Sequence, residues 1–243
     1  MAKPYKNQQT GKKEQVALMF NNIAQRYDFL NHLLSLGIDK IWRKKAIKRL
    51  SDIKQNPILL DIACGTGDLA IEALKLNPQK IIGIDISSEM LKIGQHKIKQ
   101  KKCSHIIQLQ KGDAENIPFD DNFFDGITVA FGVRNFENLS KGLIEMLRVL
   151  KPGGNVVILE FSKPTLFPVK QIYQFYFNVI LPVIGKFFSK DHSAYTYLPE
   201  SVKCFPEQGQ FIKEMEKAGF SQSNYKSLTF GIATIYYAKK NEK

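Results

Sequence analysis

Two short stretches of this 243-residue chain place glycines beside charged tips. In DIACGTGD, residues 61–68, Asp61 sits at the end of an apolar run and Gly65 and Gly67 follow. Glycines at a strand end let the backbone pass close to a ligand, although tight turns need them with no ligand present. Asp85 decides more: it closes the next apolar run 18 residues beyond Gly67. A carboxylate at that distance can accept both hydroxyls of a ribose, where otherwise it would only cap the following helix. The second stretch is AFGVRNF, residues 130–136, which ends the run Ile127, Thr128, Val129 by placing Arg134 and Asn135 at its tip.

The glycine turn is poorly suited to a dinucleotide. Ala70 stands where a third glycine would be, a tolerated change, but Asp61 and Asp68 crowd the place a pyrophosphate would take. An acidic pocket suits a cation. S-adenosylmethionine, with positive charge on its sulfur and its ammonium group, matches that distribution. GDAENIPF places Asp113 and Ala114 beside the expected adenine, with Asp113 able to accept from the exocyclic amine.

The elements that must hold these residues alternate. Runs predicted as strands (ILLDIA, KIIGIDI, HIIQLQKGD, FFDGITVAF, GGNVVILEF) are separated by helical patterns, apart from the third and fourth strands. Short runs apolar on both faces call for a mainly parallel sheet covered on both sides, a doubly wound α/β fold. Ahead of it, apolar positions 16, 20, 23, 27, 30 and 34 predict a helix ending near Gly37. After Phe161 comes an aromatic insert over about 162–200, then a helix in EQGQFIKEMEKAG. Two closely spaced runs, QSNYKSLTFG and IATIYYAKK, read as an antiparallel hairpin at the sheet edge.

Composition bounds the rest. The chain reads as a basic disordered tail over 1–13 and one domain over 14–243. Thirty-five basic against 23 acidic side chains give a charge of +12, which draws anionic partners without choosing among nucleic acid, membrane surface and charged cofactor. Lysine-rich composition bias would give the same number. Cys64, Cys103 and Cys204 are odd in number and widely spaced, suggesting neither zinc nor disulfides and a cytoplasmic setting. The first fifteen residues carry no apolar signal core, and the apolar stretch 171–185 is too short and too polar to span a bilayer.

LLDIACGTGD, IIGIDISSEML, GDAENIPFDDNFFDGI and VLKPGG resemble the successive motifs of class I S-adenosylmethionine-dependent methyltransferases. A narrower resemblance is to the UbiE/MenG family of ubiquinone and menaquinone C-methyltransferases. It rests on residues 16–44, 130–136, 148–154 and 195–206 and covers nearly the whole chain past residue 13. The resemblance implies a Rossmann-like, seven-stranded sheet with one antiparallel strand, and cofactor contacts from Thr66, Asp85, Asp113 and Ala114. Two positions depart from the family pattern: His32 where aspartate is frequent, and Phe205 where histidine precedes proline.

The implied substrate is a polyprenylated quinol methylated on a ring carbon, demethylmenaquinol in preference to a methoxy-benzoquinol. Such a carbon becomes nucleophilic when a neighbouring hydroxyl loses its proton. Arg134, a poor base, would stabilise the oxyanion, Asn135 would orient it, and Tyr27 would cover it from above. The structural alternative for Arg134 is an ion pair with Glu137 or Glu160. Phe167, Tyr173, Phe175, Tyr176, Phe177, Phe187 and Phe188, flanked by Lys163, Lys170, Lys186 and Lys190, offer a lid for a prenyl tail and contact with a membrane surface; alternatively they pack the lid to the domain. His192, Tyr195 and Tyr197 lie nearby, and a homodimer is compatible with all of this. A nucleic-acid methyltransferase is disfavoured, since AFGVRNF carries neither a catalytic Asn/Asp-Pro-Pro-Tyr/Phe sequence nor a cysteine. A non-catalytic cofactor-binding scaffold is the other rival.

Overall fold

A computed structural model describes residues 2–180 and 193–242. Two helices come first, α1 (Lys12–Leu34) and α2 (Ile38–Arg49), joined at Gly37, whose φ of 75° a side chain would strain. Helix α1 starts one turn ahead of the apolar pattern. Lys12, expected within the basic tail, is buried, and its ammonium group donates to the carbonyls of Arg134 at 2.9 Å and Phe136 at 2.8 Å. Ahead of it, the Tyr5 amide donates to Gln15 Oε1, and the Gln15 amide donates to the carbonyls of Gln8 and Thr10.

Seven strands follow: β1 (Ile58–Ile62), β2 (Lys80–Asp85), β3 (Ile107–Lys111), β4 (Phe124–Ala130), β5 (Leu150–Phe161), β6 (Ser221–Leu228) and β7 (Ala233–Lys239). They form one sheet in the order β3-β2-β1-β4-β5-β7-β6, in which β7 runs antiparallel to both its neighbours. The doubly wound reading and the terminal hairpin both hold, with β7 inserted between β5 and β6. Strand order reverses between β1 and β4, which pair in parallel, so a crevice opens beyond their carboxyl ends.

Alternation along the strands sorts the core into two layers. Leu60, Ile62, Ile82, Ile84, Val156 and Ile158 face α5 (Leu139–Val149) and α8 (Gly209–Lys217). Leu59, Ile81, Val157 and Leu159 face α2, α3 (Asp68–Ala73) and α4 (Ser88–Gln100). A third, smaller cluster joins Val16 and Met19 of α1 to the insert through Phe177, Ala194 and Tyr197. The insert consists of α6 (Val169–Phe175), a π-helical turn (Tyr176–Ile180) and α7 (Ser193–Cys204). It meets α1 over the crevice.

Candidate active site

The turn from β1 into α3 takes three left-handed residues, Ala63, Gly65 and Gly67, at φ 52°, 54° and 81°. Asp85, at the end of β2, braces it: one carboxylate oxygen accepts from the Gly65 amide at 2.8 Å and the other from the Ser87 amide at 2.8 Å. Burial raises the Asp85 carboxyl above its ordinary value, and the two amides oppose that. Gly132, in the turn after β4, packs so closely on this loop that a Cβ would stand 2.5 Å from that of Ala63. The glycine of AFGVRNF therefore serves close approach of two turns.

Three cavities meet above these turns. The first is lined by Gly65, Asp85, Ile86, Met90, Asp113 and Ala114, among others. Its lining also includes Glu115 and Glu137, and Ile86, Met90 and Ala114 supply the apolar wall that an adenosine requires. Lys13 reaches into it from α1 and pairs with Asp113 at 2.7 Å and Glu115 at 3.3 Å. The second is lined by Asp61, Thr66, Asp68, Arg43 and Tyr27. Asp61 is 1 % exposed. Its Oδ1 accepts from the Thr128 hydroxyl at 2.9 Å, while Oδ2 is buried with no hydrogen-bond partner. Burial pushes its carboxyl up to about 7. A buried carboxylate oxygen left unpaired is costly unless a cation completes the site, which is what the ammonium group of S-adenosylmethionine would do.

Asp68 is placed otherwise than its position suggested. Its carboxylate meets Lys97 at 2.7 Å and stands 3.6 Å from Arg43 and 3.5 Å from the His32 ring. Burial alone would raise it, but the two cations hold it below its ordinary value. The other acidic side chains lining these two cavities are Asp61, Asp85, Asp113, Glu115 and Glu137. Thr66 belongs to the same network, donating to Asp28 at 2.6 Å and accepting from Lys97 at 3.0 Å. His32 also binds Asp39, at 2.8 Å.

The third cavity has an aromatic wall of Phe20, Phe131, Phe161 and Tyr197, with Arg134, Asp39 and Arg43 as its charged groups. Tyr27 and Phe131 border all three cavities. Phe131 adopts a left-handed φ of 58°, a strained state for such a residue, and its carbonyl accepts from the side chains of Arg134 and Asn135. The Tyr27 hydroxyl bonds Asn31, and burial raises its pKa. Arg134 takes the ion pair with Glu160, at 2.7 Å, and Glu137 instead accepts from the Lys12 amide. Asn135 lines the first cavity and accepts from the Tyr197 hydroxyl at 3.0 Å.

Beyond the third cavity lies an apolar groove of about 320 Å³, lined by Leu36, Trp42, Ile172, Tyr173, Tyr176 and Phe177 among others. Asn31, Ser35, Phe161 and Leu198 border both. The aromatic insert is thus divided in its roles. Tyr173, Tyr176 and Phe177 face the groove, whereas Phe167 and Phe175 face outward. Phe187, Phe188, Lys186, Lys190, His192 and the side chain of Tyr195 lie outside the described residues.

All ten expected site residues border this crevice or its turns. Arg43, Asp39, Phe131 and Lys13 join them without having been singled out from the sequence, although Phe131 lies inside AFGVRNF and Asp39 and Arg43 lie inside the family-like stretch 16–44.

A model of the ubiE/COQ5 methyltransferase family matches residues 8–240. Among relatives, the demethylmenaquinone methyltransferase of Bacteroides fragilis is 52 % identical over 241 residues, spanning 98 % of this chain and 97 % of its own. The ubiquinone/menaquinone biosynthesis C-methyltransferase UbiE of Geotalea daltonii is 49 % identical over 95 % of this chain and 98 % of its own. Among solved structures, the [4+2]-cyclase SpnF superposes with a TM-score of 0.70 at 16 % identity, over 96 % of this chain and 98 % of the other. A cyclase on this fold illustrates that the fold alone does not fix the reaction.

Proposed function

The chain belongs to the ubiE/COQ5 methyltransferase family, and from that premise we propose that it is an S-adenosylmethionine-dependent enzyme that methylates a ring carbon of demethylmenaquinol. One observation supports this reading above the others. An adenosine-shaped cavity, a pocket with an unpaired buried carboxylate and an aromatic cavity opening into an apolar groove converge at Tyr27 and Phe131.

When bound, S-adenosylmethionine supplies an electrophilic methyl group on a cationic sulfur. Asp85 and Asp113 would hold its nucleoside and Asp61 its ammonium group. Gly65, Thr66, Gly67 and Ala114 shape the walls around them. The quinol ring occupies the aromatic cavity, its tail the groove lined by Ile172, Tyr173, Tyr176 and Phe177.

The quinol hydroxyl must give up a proton for the ring carbon to attack. Burial raises the phenol pKa of both Tyr27 and Tyr197, so at neutral pH both keep their protons; the Tyr27 hydroxyl donates to the developing oxyanion, while that of Tyr197 donates to Asn135. Arg134 is a second donor there, but its charge is largely matched by Glu160. Asn135 fixes the Tyr197 hydroxyl. Asp39 is the carboxylate that borders the ring cavity. Burial would raise it, but the Ser35 hydroxyl, Arg43 and His32 hold it ionised below its ordinary value. A weak base in that position acts through a water while donors lower the quinol's own pKa.

Leu36 and Ile172, 84 % and 65 % exposed, line the groove, and Phe230, 72 % exposed, follows the lining residue Thr229 in the chain. Lys163 and Lys170 flank the insert on its chain-entry side. Apolar side chains around the mouth of a lipid-tail groove, set among basic residues on a chain of charge +12, suit the interface of an anionic bilayer. No described helix is long and apolar enough to cross a membrane.

Demethylmenaquinol is preferred to the benzoquinol because the Bacteroides fragilis and Porphyromonas gingivalis relatives, 52 % and 45 % identical, carry that substrate in their names. The test is methyl transfer to each reduced quinol, with the methylated carbon located by mass spectrometry. Cofactor binding without transfer to either would favour the scaffold reading.

A further inference from the structure

The pocket holding Asp61 presents an anion to the cofactor's ammonium group, but an amino-acid end also carries a carboxylate. Among largely buried charged walls that carboxylate needs a cation with donors to spare. We propose that Arg43, on α2, binds the carboxylate of S-adenosylmethionine, opposite Asp61. This rests on the cofactor reading above.

Two basic side chains come near this pocket. Lys97 is committed: its ammonium group donates to Asp28 at 2.5 Å, Asp68 at 2.7 Å and Thr66 at 3.0 Å, which uses all three of its protons. Arg43 is the basic residue among those that line the pocket. Its guanidinium is buried, and Nη1 donates to Asp39 one turn earlier on the same helix. Nη2 makes a looser ion pair with Asp68 Oδ2, at 3.6 Å and beyond hydrogen-bond length. One arm of the fork is therefore anchored, and the other, held only by this long contact to a second lining residue, is the arm a ligand carboxylate would recruit.

The anchoring matters as much as the charge. Asp39 is itself fixed by the Ser35 hydroxyl at 2.6 Å and the His32 ring at 2.8 Å, so Arg43 is held by a braced carboxylate and loses little freedom when a ligand arrives. A planar, pre-oriented guanidinium meets a carboxylate better than a lysine could from the same helix. Arg43 also borders the quinol cavity. It is a cofactor-binding residue placed so that the cofactor's amino-acid end and the ring site share one wall.

The test compares three ligands by calorimetry: S-adenosylhomocysteine, its decarboxylated analogue S-adenosyl-3-thiopropylamine, and 5′-methylthioadenosine, which lacks the whole amino-acid end. Wild type should bind S-adenosylhomocysteine about 10–100-fold more tightly than the decarboxylated analogue, the usual range for a charge-assisted contact. Arg43→Gln should erase that preference while moving 5′-methylthioadenosine affinity by less than about threefold, and Arg43→Lys should restore part of it. If wild type shows no such preference, or Arg43→Gln weakens all three ligands equally, the assignment is wrong and Arg43 only braces the fold. A wild type without that preference overturns the assignment even where a variant fails to fold. If wild type binds 5′-methylthioadenosine but not S-adenosylhomocysteine, the amino-acid pocket is misread; if it binds none of the three, the cofactor reading itself fails and the assignment with it.

Discussion

The guanidinium of Arg134 and the carboxylate of Glu160 meet at 2.7 Å with their side chains 7 % and 0 % exposed. Glu160 also accepts from the backbone amides of Arg134 and Phe161. Removing Arg134 would leave a fully buried carboxylate without its cation. Arg134→Ala should therefore lose about 3–5 kcal/mol of stability in urea unfolding as well as activity. Arg134→Ala with Glu160→Ala should cost less than the two single losses added. Strict additivity would mean the pair is not coupled. If the double variant folds and binds cofactor yet transfers no methyl, the chemical role of Arg134 is separated from its structural one.

Tyr197 joins the insert to the turn after β4 through Asn135. Tyr197→Phe should cost about 0.5–1.5 kcal/mol, the net worth of one hydrogen bond. It should reduce kcat for quinol methylation while leaving S-adenosylhomocysteine affinity within about threefold, because Tyr197 borders the ring cavity but neither cofactor cavity. A loss confined to cofactor binding would place it elsewhere.

The strand-borne half of the site was legible, and of the helix-borne half only Tyr27 was. Asp61, Asp85 and Asp113 each sit at or just past the end of a run apolar on both faces, so the periodicity that marks a parallel strand also aims them at the crevice. Arg43 shares a twelve-residue helix with Lys40, Lys44, Lys45, Lys48 and Arg49. Helical spacing does place Arg43 on the stripe of Trp42, Ala46, Ile47 and Leu50, but as a cation it was not counted among the apolar positions. Lys12 is the same case, read as tail because burial of a lysine has no local signature. Helix α7 was hidden inside the aromatic insert because Pro199 lies within it. For Arg134 the strand-tip position was informative about where it lies, but two acidic partners were open in the sequence and only the fold chose Glu160.

Burial raises the Asp61 carboxyl to about 7, well above its value of 3.8 in the unfolded chain. The native state therefore holds this proton more tightly than the unfolded state. The stability it contributes is full below pH 4 and is lost as pH rises through about 7. Asp61→Asn should stabilise the ligand-free protein at pH 8 by roughly 1–3 kcal/mol. S-adenosylhomocysteine needs the ionised form opposite its ammonium group, so its affinity should rise between pH 6 and 8 in wild type and lose that slope in Asp61→Asn. Calorimetry in buffers of different ionisation enthalpy would detect the released proton; an unchanged slope in the variant would assign the proton to another group.

Leu36 lines the apolar groove, and Phe230, next in the chain to the lining residue Thr229, is likewise exposed. Leu36→Asp with Phe230→Asp should lower co-sedimentation with phosphatidylglycerol vesicles at least about fivefold, since it removes two apolar anchors and adds two like charges. Turnover of a short-tailed, water-soluble quinol should stay within about twofold of wild type. Equal vesicle binding by the variant would move membrane contact to another face.

The most direct measurement is kcat/KM for transfer of labelled methyl from S-adenosylmethionine to demethylmenaquinol and to 2-methoxy-6-polyprenyl-1,4-benzoquinol, both kept reduced and compared with their oxidised forms. Efficient methylation of the reduced naphthoquinol, at least about tenfold preferred and absent for the oxidised ring, is the expected result. Preference for the benzoquinol would reassign the substrate. Binding of S-adenosylmethionine with no transfer to either quinol would contradict the central claim.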